Sequence, residues 1–122
     1  LASIDEARTA YEAGDLRDRL GKYHSEVDNC FRGWNDSWLH PDFREWNVSD
    51  CLDYIRVPVL AIQGHDDQYG TMAQIDELVE RCYAPVDVMM LPSCRHAPHF
   101  DQTEATLAGI ASFCDRLRKI NA

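Results

Sequence analysis

The chain has too few basic residues to balance its acidic ones. Twelve Lys and Arg stand against 21 Asp and Glu, a net charge of −9. A field of that sign repels phosphate backbones and anionic lipid head groups, so neither nucleic acid nor a membrane surface is expected as a partner. No apolar run approaches the ~20 residues that a membrane span needs. The N-terminus lacks a basic region followed by an apolar one, so no signal peptide is expected. It opens on Leu1 rather than Met, which leaves room for sequence upstream. There is no C-x-x-C either. The five cysteines, Cys30, Cys51, Cys82, Cys94 and Cys114, are odd in number and irregularly spaced, which argues against a zinc site, a redox motif or a disulfide framework. They predict free, mostly buried thiols in a reducing cytoplasm.

What is present suffices for a folded domain: 122 residues, 45% of them hydrophobic. The texture changes along the chain. Residues 1–55 are helical in pattern and rich in aromatics, with no convincing strand. Ser3-x-x-Glu6 has the spacing of a capping box. Ala7, Ala10 and Tyr11 would form one face of the helix behind it, Gly14 would end that helix and Asp15 would cap the next, which carries Leu16, Leu20 and Tyr23. A third helix holding Val27, Phe31, Trp34 and Trp38 would stop at Pro41.

Residues 56–122 read strand, helix, strand, helix. Val57 to Ile62 is a continuous apolar run of the kind found in strands buried on both faces. Thr71-x-x-Gln74 is a second capping box, with Ile75, Leu78, Val79 and Cys82 at helical spacing. Val86 to Leu91 is the second strand. Asp101-x-x-Glu104 suggests a third cap, before a helix lined by Leu107, Ala111, Cys114 and Leu117. Strands joined through a helix run parallel, and in open parallel sheets function gathers at their carboxyl ends. Asp66 and Asp67 follow the first strand and His96 follows the second, so topology alone brings a carboxylate and an imidazole together. Two parallel strands make a poor sheet, however. The pattern therefore predicts further sheet, supplied by a missing N-terminal half or a second copy of the chain.

The segments "PVLAIQGHDDQYGT" and "LPSCRHAPHFDQTEATLAGIASF" resemble the acid-bearing turn, the histidine loop and the closing helix of the α/β-hydrolase family. The resemblance implies an α/β fold: the C-terminal β-α-β-α part of an α/β-hydrolase, residues 56–122, preceded by lid-like helices over residues 1–55. It implies Asp67, in G-x-x-D, as the catalytic acid and His96 as the catalytic histidine. Asp66 falls on a variable position, Arg95 stands where glycine is common, and His99 becomes a supporting residue. Family members carry a G-x-S-x-G nucleophile elbow upstream of the lid. No glycine here flanks a serine in that way, so the resemblance places the Ser, or in some relatives Asp, nucleophile before Leu1.

In that chemistry the histidine is a general base, taking the nucleophile's proton and returning it to the leaving group. The aspartate binds the other ring nitrogen, fixing the tautomer and stabilising the imidazolium. The expected substrate is a small molecule with an ester, thioester, amide or activated C–C bond. Phe31, Trp34 and Trp38 are candidates for lining an apolar substrate cleft. No cofactor is expected. His65, His96, His99, Asp66, Asp67 and Asp101 are residue types that bind metals, but Pro98 within His96-x-x-His99 keeps both rings off one helical face, so no metal is expected either. Tyr69 and Gly70 would shape the turn, Gly70 through a positive φ. A non-catalytic ligand-binding or assembly module that borrows sheet from a partner is the alternative from another class.

Overall fold

The computed structural model of the chain describes residues 1–120. By contacts the chain divides into two compact units, one of residues 1–47 and one beginning at Val48.

The first unit is all helix: α1 (Ala2–Ala13), α2 (Leu16–Leu20) and α3 (Val27–Leu39), then a single 3-10 turn over Pro41–Phe43. The first helix starts at Ala2, with no side chain capping it, so Ser3 lies inside the helix rather than at its entrance. Gly14 closes it, and Pro41 follows α3 as its sequence predicts. Ala7, Tyr11 and Phe31 form the core, with Leu16, Leu20 and Val27 packed around them. The rings of Tyr11 and Phe31 stack with centroids 3.8 Å apart and planes 2° from parallel. The Tyr11 hydroxyl reaches Asp28, whose carboxylate also accepts two hydrogen bonds from Arg17. That arrangement gives the half of a tyrosine that is polar a partner while its ring stays in the core. Tyr23, expected on the apolar face of α2, is instead 81% exposed.

The second unit opens with a 3-10 segment, Ser49–Tyr54, followed by β1 (Val59–Gly64), α4 (Met72–Arg81), β2 (Val86–Leu91), α5 (Pro98–Asp101) and α6 (Thr103–Ile120). The strands run parallel, in register from Val59 opposite Val86 to Gly64 opposite Leu91. The Thr71–Gln74 capping box forms: the Gln74 side chain accepts from the Thr71 N–H at 2.6 Å. Arg81, in the last turn of α4, pairs with Asp50 and Asp53 at 2.8 Å each and so ties the helix to the 3-10 segment. Ala61, Ile75, Ala84, Leu91 and Cys94 are buried.

The expected fold class does not hold. The chain is a small helix-rich domain, 59% helical, with a two-stranded parallel sheet among the described residues, rather than the β-α-β-α part of an α/β-hydrolase behind lid-like helices. The reason is physical. A helix satisfies its backbone hydrogen bonds within itself, whereas a parallel sheet is favoured when most of its strands are paired on both edges and covered on both faces. Two strands cannot supply that. Val88 is accordingly 42% exposed.

Two smaller corrections follow. The thiols are all free, as expected, but only Cys94 is buried, while Cys30, Cys51 and Cys114 are exposed. Asp101 does not open the last helix: it ends α5, and its carboxylate accepts the Arg95 N–H at 2.8 Å. No helix among the described residues is long and apolar enough to cross a membrane.

Candidate functional site

The site is built where β1 and β2 end. The turn after β1 is stitched to the loop after β2: the His65 N–H donates to the Leu91 carbonyl and the Asp66 N–H to the Cys94 carbonyl, each at 2.9 Å. Gly64 permits that approach. A β-carbon there would overlap the carbonyl oxygens of Cys94 and Arg95.

Asp67 then turns inward. Its Oδ1 accepts the backbone N–H groups of Tyr69 at 2.8 Å and Gly70 at 3.1 Å, an Asx-type turn that locks the carboxylate. Both carboxylate oxygens also face His96 Nδ1, at 3.0 and 3.1 Å. Gly70 does not have the positive φ expected of it. Its missing side chain serves proximity instead, since a β-carbon would stand 2.9 Å from Asp67 Oδ2.

The two members of the pair differ in exposure. The Asp67 side chain is 9% exposed and that of His96 is 59% exposed. Burial works against the Asp67 charge and is the largest single influence on it. The hydrogen bonds from the Tyr69 N–H, the His96 ring and the Gly70 N–H together outweigh it, and the carboxyl is held below its ordinary range. An ionised carboxylate only accepts, so the His96 proton belongs on Nδ1 and the Nε2 lone pair is left for other work. The Tyr69 ring meets the imidazole edge to face, with centroids 5.0 Å apart. An imidazole with one nitrogen held and the other open can accept a proton from a group presented to it.

Phe31, Trp34 and Trp38 belong to the first unit. Phe31 is buried in its core, and Trp34 packs edge-on against it at 5.7 Å. Trp38 meets Phe43 and Trp46 edge-on, at 5.2 and 6.0 Å, and remains 40% exposed. His99 packs against Phe100 rather than against the Asp67–His96 pair. Among the described residues, no three His, Cys, Asp or Glu side chains come together as a metal site would require. A groove of about 470 Å³ in the second unit, with Leu60, Met89 and Arg116 in its wall, includes neither Asp67 nor His96.

No protein-family model, curated protein or solved structure matches this chain. The geometry of the site therefore carries the functional argument by itself.

Cys94 stands beside the pair, but it is wholly buried. Burial first, then the charges of Asp101, Asp67 and Asp66, push its thiol up, away from the thiolate that a nucleophile needs. Sequence reasoning missed the residues that hold the histidine loop. The Gln102 amide donates to the carbonyls of Pro92 and Ser93, at 3.1 and 3.3 Å. The buried Thr106 hydroxyl donates to the Pro98 carbonyl at 3.0 Å. Nothing in a periodic pattern marks a side chain that reaches back eight or ten residues to a carbonyl.

Proposed function

We propose that Asp67 and His96 are the acid and base of a hydrolytic site. The observation that carries the reading is the contact of both Asp67 oxygens with His96 Nδ1, made by a carboxylate that is itself locked and by an imidazole that is open to solvent. In this reading His96 Nε2 takes the proton of a nucleophile and passes it to the leaving group, while Asp67 holds the tautomer and stabilises the imidazolium. The substrate is a small molecule with an ester, thioester, amide or C–C bond. The nucleophile, a Ser or an Asp, comes from sequence outside these 122 residues. For an Asp, which has no proton to give, the base acts on the water that cleaves the intermediate. Five free thiols support a reducing compartment, the cytoplasm, as the place of action.

The test reads the ring itself. Nitrogen NMR of His96 should find the neutral imidazole protonated on Nδ1, and Asp67→Asn should give a mixture of tautomers. A proton on Nε2 in the unaltered chain would sink the reading. With activated esters the 122-residue chain should not exceed free imidazole. Robust turnover abolished by His96→Ala would place the nucleophile within residues 1–122 and overturn that part of the proposal.

One observation favours a second reading, a non-catalytic assembly module. Each strand of the two-stranded sheet has an edge with no strand beside it among the described residues, and such edges pair readily with other chains. A second copy, or a missing part of the same protein, would then complete the sheet. Size-exclusion chromatography decides: association that rises with concentration supports a second copy, and a monomer at every concentration counts against it.

A further inference from the structure

The loop that delivers His96 turns through a conformation its own residues disfavour. Ser93, three residues before the histidine, has φ 49°, and it is the one non-glycine residue with positive φ among the described residues. That region brings a β-carbon close to the following carbonyl, so a serine remains there only when its surroundings hold it. The backbone on either side is held by the His65 and Asp66 N–H groups, which donate to the Leu91 and Cys94 carbonyls, and the turn itself is held by the Gln102 side chain. Its amide nitrogen has two hydrogens, and the two carbonyls on either side of this turn, those of Pro92 and Ser93, accept them. The neighbouring Asp101 takes the Arg95 N–H on the way to His96. A single neutral amide thus gathers both carbonyls onto one point, which an extended backbone at Ser93 would not allow.

We infer that Gln102 is a positioning residue for His96: its amide holds Ser93 in the left-handed conformation and so fixes where the imidazole meets Asp67. The inference rests on the reading of His96 as the base. It makes Gln102 act through the backbone of Ser93, and a glycine at that position adopts the same φ without steric cost. Removing the amide should therefore matter with serine at position 93 and cease to matter with glycine there.

The experiment compares His96 ring-nitrogen spectra of the full 122-residue chain in four forms: unaltered, Gln102→Met, Ser93→Gly, and both together. Methionine keeps the length of the side chain and removes both donors. The unaltered chain and Ser93→Gly should show the single Nδ1–H tautomer. Gln102→Met should lose it to a mixture, and adding Ser93→Gly should restore it. A His96 spectrum unmoved by Gln102→Met overturns the inference, and so does a loss that glycine fails to restore, which would mark Gln102 as general support for the fold. If Gln102→Met folds only when Ser93→Gly accompanies it, the inference is upheld; if neither folds, it falls. Absence of the Nδ1–H tautomer in the unaltered chain defeats the base reading itself and is visible before any variant is compared.

Discussion

At the scale of single residues, Asp67 couples function to stability. Its carboxyl is held below the ordinary range in the folded chain, so folding is favoured wherever the unfolded carboxyl would be ionised. That contribution is complete above the unfolded value of about 3.9 and is lost as pH falls through the lower folded value. Asp67→Asn should therefore flatten the acid limb of the stability curve below about pH 4, where urea melts taken at successive pH values will show it. Gly64 is constrained by space rather than by φ. Gly64→Ala drives a methyl into two backbone carbonyls and should cost about 1–3 kcal/mol or more, read as a lower urea midpoint. The meeting of Asp67 and His96 is legible in the sequence because strand ends and chain order are encoded locally. The part played by Gly70 was misread because a glycine looks the same whether it serves a dihedral or a close approach.

At the scale of elements, the sequence specified period better than phase. Helix α6 carries apolar residues in two stripes. Of the expected one, Leu107, Ala111, Cys114 and Leu117, the first three lie outward, with Leu107 at 60% exposure, and Leu117 alone is half-buried. The inner stripe is the buried Thr106 with half-buried Gly109, Phe113 and Leu117. Both stripes repeat every three to four residues, so hydrophobic spacing alone could not choose between them. The buried threonine wins because its hydroxyl finds the Pro98 carbonyl. Leu107→Ala should accordingly change stability by no more than about 0.5 kcal/mol. Ile75→Ala, in the buried face of α4, should cost about 2–5 kcal/mol in the same denaturation measurement. The capping box at Thr71 was visible because its residues satisfy one another over three positions, and Gln74→Ala should lose about 1 kcal/mol.

For the molecule as a whole, the number of strands was not legible. A β-α-β pattern reports that two strands are parallel, and it carries no count of the strands beyond them. The two-stranded sheet leaves most of its residues half-exposed, including Val59, Leu60 and Ile62 of the 57–62 run, which its apolar pattern suggests is buried on both faces. Charge is the property of the whole that needs no structure to read. At −9 the protein should neither retard a DNA duplex in a gel nor sediment with anionic vesicles at low salt, the condition that most favours electrostatic binding. Retention in either assay would show a local basic surface strong enough to override the net field.

The distribution of indoles has a practical consequence. Trp34, Trp38 and Trp46, all the tryptophans of the chain, belong to the unit of residues 1–47, while Asp67 and His96 belong to the unit that begins at Val48. Intrinsic tryptophan emission is thus a spectroscopic label for the helical unit alone. Probes of the site need a reporter in its own unit, such as the Tyr69 ring that already lies against the imidazole.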